Sequence, residues 1–210
     1  MIRVDREGAA CILTLDRPDK ANALTEAMLQ DLLRAVEDAQ DAAVLILTGV
    51  GKVFSAGADL DAARAGLATS PLWEDLSGAI AAFPGLSIAA LNGTVAGGAN
   101  GMVLACDMRI CVPEARFFYP VMKLGYLPQP SDPIRMAALI GPARTKWIFV
   151  AGQRVSARRA HDWGLVEDIV PQEDLLTRAH ALATDCIAAD PDTARAIKAL
   201  CVAQDTAGSA

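Results

Sequence analysis

The segment Val44-Leu45-Ile46-Leu47 is apolar at four successive residues. Side chains of a strand alternate between the two faces of a sheet, so such a run has to be covered on both. Nearly continuous runs of the same kind occur at residues 10–15, 87–91 and 108–112, with a more alternating one at 2–5. Between them stand helical patterns. Thr25 is a natural N-cap, after which Met28, Leu32, Leu33 and Val36 share one face while Gln30, Asp31, Arg34 and Asp38 share the other. Pro71 opens a second helix, and Pro84-Gly85 closes it. From Ser131 onward the pattern is helical, apart from a short strand-like insert at 165–170; Ser156 caps a helix that Gly164 ends, and Pro171 starts the next. Strands and helices that alternate to about residue 130, followed by a helical region, define an α/β chain. No Pro/Ser-rich linker divides it, so residues 1–130 and 131–210 are expected to form one structural unit. Residues 205–210 read as a frayed end.

Composition removes several functional classes. Nineteen Lys and Arg against twenty-five Asp and Glu leave a net charge of −6 with no polybasic run, which argues against a nucleic-acid partner. The mean hydropathy is +0.30, yet every apolar run is interrupted by Gly, Pro or charge well short of a membrane span. The N-terminus has no signal-peptide core. Cys11, Cys106, Cys111, Cys186 and Cys201 are odd in number and lack Cys-x-x-Cys spacing, so they read as reduced core thiols of a cytoplasmic protein. The two histidines, His161 and His180, lie in helical patterns and read as structural, Glu114 reads as a solvated turn residue, and no clustered metal ligands occur.

Two strands end in the same way. The first runs into Phe54-Ser55-Ala56-Gly57-Ala58-Asp59-Leu60, and the second runs into Asn92-Gly93-Thr94-Val95-Ala96-Gly97-Gly98-Ala99-Asn100 before a helix. Small residues at such turns let a ligand atom approach the backbone, and free N–H groups at a helix start favour negative charge. Taken singly, each turn is also what tight strand–helix packing requires. Neither has dinucleotide-binding or phosphate-loop spacing, and the chain has no Gly-x-Ser-x-Gly elbow.

Five ordered blocks carry a resemblance. They are Leu15-Asp16-Arg17-Pro18-Asp19-Lys20-Ala21-Asn22-Ala23-Leu24; Ser55-Ala56-Gly57-Ala58-Asp59-Leu60; Asn92-Gly93 through Gly97-Gly98-Ala99 with Leu104-Ala105-Cys106-Asp107-Met108-Arg109-Ile110; Pro120, Leu124-Gly125 and Pro128; and Ser156-Ala157 with Ala160 and Gly164-Leu165-Val166. Together they span nearly the whole chain and resemble the enoyl-CoA hydratase/isomerase (crotonase) superfamily. That resemblance implies a ββα spiral with a helical C-terminal region, a homotrimer or dimer of trimers, and an acyl-CoA substrate with no permanently bound cofactor. It implies that the N–H groups of Ala58 and Gly98 form an oxyanion hole for the thioester oxygen. It also implies that Lys20, Ala21, Leu24, Ala56, Asp59 and Leu60 lie in segments that meet the coenzyme A moiety, Asp59 chiefly by orienting its loop.

The chain departs from the family where hydratases carry two glutamates. Matching through Gly97-Gly98 and Cys106-Asp107 places Gly101 at the first, and matching through Pro120 and Leu124-Gly125 places Val121 at the second. Neither can move a proton. Nearby substitutes are Asp132, which as readily caps the following helix; Tyr119, which as readily packs in the core or an interface; and Asn100, which suits a helix N-terminus. Relatives also continue further, so the acyl pocket is expected to be more open or closed by a different oligomer contact. Three readings follow: an enzyme that stabilises a thioester enolate, a silent acyl-CoA-binding paralogue, and a CoA-thioester decarboxylase or hydrolase that uses another residue.

Overall fold

The computed structural model describes residues 1–202. The expected frayed segment, 205–210, lies outside them. The chain opens with an antiparallel pair, β1 (Ile2–Glu7) and β2 (Ala10–Leu15), followed by α1 (Glu26–Glu37). Thr25 caps α1 as expected, its hydroxyl accepting from the Met28 N–H at 3.3 Å, and Met28, Leu29, Leu32 and Val36 are buried.

Three ββα turns come next. In the first, β3 (Val44–Gly49) and β4 (Val53–Ser55) lead to α2 (Leu60–Arg64) and α3 (Leu72–Ala81). In the second, β5 (Leu86–Leu91) and β6 (Thr94–Ala96) lead to α4 (Ala99–Ala105). In the third, β7 (Met108–Cys111) and β8 (Arg116–Phe118) lead to α5 (Val121–Leu124). The remainder is α6 (Ser131–Ile140), α7 (Pro142–Phe149), β9 (Val155–Ser156), α8 (Ala157–Trp163), β10 (Asp168–Ile169), α9 (Leu175–Ala188) and α10 (Pro191–Val202). The first strand of each turn enters a six-stranded sheet in the order β1-β2-β3-β5-β7-β10, parallel from β2 onward. The second strand of each enters a smaller sheet in the order β4-β6-β8-β9. The expected α/β spiral with a helical C-terminal region is therefore present.

Double-sided burial of the parallel strands is observed: five of the six residues of β3 are buried. Residues from the later helices complete the same core. Leu175, Ala179 and Ala183 of α9 are buried against it, and Arg109 on β7, itself buried, donates to Leu165 O at 2.8 Å and to Glu167 Oε1 at 2.5 Å. Lys198 on α10 reaches Phe83 O at 2.8 Å, Gly85 O at 2.7 Å and Asp107 Oδ2 at 2.7 Å. All five cysteines are free, but the expectation of core thiols holds for three. Cys186 is half-buried and Cys201 exposed, because they lie on the outer helices. Burial holds the thiols of Cys106 and Cys111 up at about 12, which makes them inert.

The smaller sheet requires a close backbone approach at Gly93. A Cβ there would stand 2.1 Å from Lys52 O and 3.0 Å from the Val53 Cα, both rigid backbone. Gly93→Ala is expected to destabilise the protein by about 2–4 kcal/mol, read as a lower urea midpoint at unchanged m-value.

Candidate active site

The two glycine-bearing turns meet at the edge of the smaller sheet. Asn22, buried with a left-handed φ of 51°, donates through Nδ2 to Val50 O at 3.0 Å and Val53 O at 2.8 Å. Asn92 donates to Gly51 O at 2.9 Å from the other side. The two side chains replace the ladder bonds that an irregular loop cannot make for itself. The loop so held delivers β4 into parallel pairing with β6. Beyond β4, Gly57 has φ 88°, and a Cβ there would lie 2.8 Å from Ala96 O. Glycine is required at this point on both counts, and its absent side chain lets the two turns touch.

The donors in these turns are used unequally. Ala56 N–H donates to Ala21 O at 3.0 Å, Gly57 N–H to Ser55 Oγ at 3.1 Å, and Asp59 N–H to Leu24 O at 2.8 Å. In the second turn Gly97 N–H donates to Phe118 O at 3.1 Å. Ala58 N–H and Gly98 N–H have no acceptor among the described residues. Both residues line one cavity of about 450 Å³, together with Trp73, Tyr119 and Val121. The Trp73 ring backs Gly98 so closely that a Cβ would sit 3.0 Å from it, and its Nε1 is held by Leu67 O at 2.7 Å. Nothing in the sequence marked Trp73, which reads as one apolar residue of an amphipathic helix.

A second cavity, of about 560 Å³, lies between α9, α10 and the start of β7. It is larger but poorer in chemistry, since its cation, Lys198, is fully engaged as described above.

Residues expected to meet a ligand divide into two groups. Ala56, Ala58 and Leu60 line the first cavity, Leu60 being 74% exposed at its mouth. Asp59 caps α2, accepting from Asp61 N–H at 3.1 Å, and pairs with Arg17 at 2.8 Å; that bond holds its carboxyl below the usual range. Lys20 is exposed on a single 3-10 turn, Ala21 follows it in a left-handed conformation, and Leu24 is buried, its backbone bridged to Ala58. None of Lys20, Ala21, Leu24 or Asp59 lines the cavity. His161 and His180 sit on α8 and α9, near Asp162 and Glu7 respectively, far along the chain from these turns.

Asn100 is buried and donates to Gly97 O at 2.8 Å and Phe118 O at 3.1 Å, so it stiffens the second turn. The capping alternative for Asp132 is overturned. Pro130 takes the N-cap position of α6, and Asp132 lies within the helix with its side chain buried. Tyr119 Oη donates to Asp132 Oδ2 at 2.9 Å, while Asp132 Oδ1 has no partner among the described residues. That oxygen faces Gly101, where a Cβ would stand 2.8 Å away. Burial drives the Asp132 carboxyl up to about 7, opposed by the Tyr119 hydrogen bond and the Arg135 charge. Tyr119 is pushed well above the ordinary phenol range, first by burial and then by Asp132.

A fold of ββα turns whose strand ends converge two open main-chain donors on one cavity defines a class of small-molecule site. The sequence matches the enoyl-CoA hydratase/isomerase family model over residues 5–208. It is 34% identical over 204 residues to the "Probable enoyl-CoA hydratase echA8" of Mycobacterium bovis, covering 94% of this chain and 79% of that one. It is 34% identical over 210 residues to the carnitinyl-CoA dehydratase of Salmonella arizonae, covering 94% and 78%. Among solved structures, an enoyl-CoA hydratase from Bacillus anthracis superposes with a TM-score of 0.88 at 32% identity, covering 96% of this chain and 82% of that one. The chain belongs to the enoyl-CoA hydratase/isomerase family.

The raised Asp132 value has a consequence for stability. The folded state binds a proton more tightly than the unfolded chain, so stability is full below the ordinary carboxylate range and falls as pH rises through about 7. The loss is on the order of 3–4 kcal/mol. Asp132→Asn is expected to raise the melting temperature at pH 8 and to change it little at pH 4, measured by calorimetry at both.

Proposed function

We propose that this protein processes acyl-CoA thioesters through an enolate, with the thioester oxygen held by the N–H groups of Ala58 and Gly98. The single observation behind this reading is a contrast between donors: the two turns touch, the N–H groups of Ala56, Gly57, Asp59 and Gly97 are satisfied, and Ala58 and Gly98, whose N–H groups have no acceptor among the described residues, line one cavity. Family membership supplies the substrate class, since the relatives named above act on CoA thioesters by their names. An oxygen that gains negative charge beside preorganised donors in a site walled by Trp73 and Val121 is stabilised by several kcal/mol. No permanently bound cofactor enters the scheme, and no group of three or more His, Cys, Asp or Glu able to hold a metal occurs among the described residues.

Gly101 and Val121 occupy the positions where the resemblance puts the hydratase glutamates, so water addition lacks its usual base. Asp132 and Tyr119 are the acid–base candidates at this site, and one proton moved between carbons, as in an isomerase, is the chemistry they suit best. The silent acyl-CoA-binding reading is favoured by one observation: Asp132 does not itself line the cavity. Assays of crotonyl-CoA hydration and 3-enoyl-CoA isomerisation separate the two, turnover in either excluding the silent form.

The helices flanking the cavity mouth favour self-association. Met122, Leu127, Ile134, Trp147 and Val150 are all exposed on or beside α5, α6 and α7. This supports the homotrimer or dimer of trimers that the resemblance implies. Light scattering on the purified protein is expected to give three or six chains, and a monomer at micromolar concentration would rule this assembly out.

Acetoacetyl-CoA, whose β-keto thioester enolises readily, is expected to bind more tightly than free CoA. Gly98→Ala, which forces the turn away from Trp73, is expected to weaken it at least tenfold, about 1.4 kcal/mol, with the circular dichroism spectrum retained. Equal affinity in wild type and variant would sink the role given to Gly98.

A further inference from the structure

We infer that Tyr119 is the group that exchanges a proton with the bound acyl thioester, and that Asp132 acts through it as the proton store. This rests on the thioester reading above and assigns its missing acid–base step. Three observations carry it. Tyr119 lines the cavity beside Gly98, whereas Asp132 does not. The two side chains are joined by a hydrogen bond of 2.9 Å. Asp132 Oδ1 lies unpartnered against Gly101, in space that any side chain at that position would claim.

Gly101 and Asp132 therefore share one volume. The resemblance places a carboxyl on α4 at residue 101; here α4 has none, and a carboxyl enters the same region from α6. It does not reach the cavity, and Tyr119, hydrogen-bonded to it, lines the cavity wall between them. The Tyr119 ring is braced against Phe149, with centroids 4.7 Å apart, so its hydroxyl has a fixed position. Packing does not account for Asp132. A fully buried carboxyl with a single hydrogen bond and an orphan oxygen destabilises a fold, and an amide or apolar residue would fill the volume better.

The step balances without a co-reactant. A C–H bond beside the thioester breaks, and its electron pair moves to the thioester oxygen, held by the two open donors. The proton goes to Tyr119 Oη as the Tyr119 hydroxyl proton passes to Asp132 Oδ2. The outcome is an enolate, a neutral phenol and a neutral carboxylic acid. Reversal at the same carbon returns a solvent proton once the Tyr119 hydroxyl, which lines the open cavity, has traded its proton with water during the life of the enolate; reversal at the vinylogous carbon of an enoyl chain moves the double bond. A free tyrosinate never forms, which suits a phenol whose ionisation the buried site strongly opposes.

The relay accepts a proton only when Asp132 is ionised, above about pH 7. The charged and titratable groups facing it are Tyr119, Arg135 on its own helix and Glu74 from α3; Arg135 favours ionisation and Glu74 opposes it. A carboxyl poised near neutrality is matched to both halves of the transfer.

The test is α-proton exchange of butyryl-CoA in D₂O by the full chain, followed by NMR alongside acetoacetyl-CoA binding. Wild-type exchange is expected to rise with pH through about 7. Tyr119→Phe is expected to slow it about 100-fold while acetoacetyl-CoA still binds. Asp132→Asn is expected to slow it comparably and flatten the pH profile, and Gly101→Ala, which crowds Oδ1 while leaving the carboxyl, to displace the midpoint. Wild-type exchange rates in Tyr119→Phe would overturn the relay, as would an undiminished pH rise in Asp132→Asn. A wild-type protein that binds acetoacetyl-CoA without exchanging would overturn the relay and leave the oxyanion reading standing. Failure to bind acetoacetyl-CoA at all would overturn the reading on which the relay rests.

Discussion

The close approach of Gly57 to the Ala96 carbonyl is the contact on which the site depends. A side chain at residue 57 would part the two turns, and the pairing of β4 with β6 beside it would be lost with them. That pairing in turn requires the loop after β3 to be held without a ladder of its own, which Asn22 and Asn92 accomplish through carbonyls at 50, 51 and 53. One short-range backbone contact and two buried amides thus fix where the open N–H groups of Ala58 and Gly98 lie. The larger sheet acts as the frame. Its parallel strands are covered on both faces, so the loops at their ends are placed by a core that does not move with them.

Much of this was legible in the residues. The strands β2, β3 and β5 were read because a nearly continuous apolar run has little alternative once covered on both sides, and β1 because its apolar and charged residues alternate. The caps at Thr25 and Ser156 were read because a hydroxyl before an apolar period has a defined acceptor role. The second sheet was not. Its strands are two or three residues long, and a period of two cannot be recognised in Val53–Ser55 or Arg116–Phe118. They pair because the frame brings them together, a tertiary cause without a local signature.

The capping alternative for Asp132 failed for a similar reason. An aspartate after a proline-rich stretch at a helix start ordinarily accepts from its own turn. Here Gly101, some thirty residues earlier, leaves a hollow in α4, and the side chain turns inward to Tyr119 instead. Each position alone looks ordinary: a glycine in a helix, an aspartate near a helix start, a tyrosine before a proline. Only their proximity gives the carboxyl its burial, and burial gives it its titration. The open donors at Ala58 and Gly98 were named only through the resemblance, because a free N–H is defined by which acceptors its neighbours have taken and has no signature in its own residue.

The open donors and the carboxyl belong to different parts of the chain. The former are main-chain atoms of two turns, and the latter is a side chain on α6. Substitution at 58 leaves an amide in place so long as the backbone path is kept, while substitution at 101, 121 or 132 changes which atoms can carry a proton. On the function proposed here, a lineage that inherits these turns can therefore trade one chemistry for another by point changes on neighbouring helices, without redesigning the cavity that the turns border.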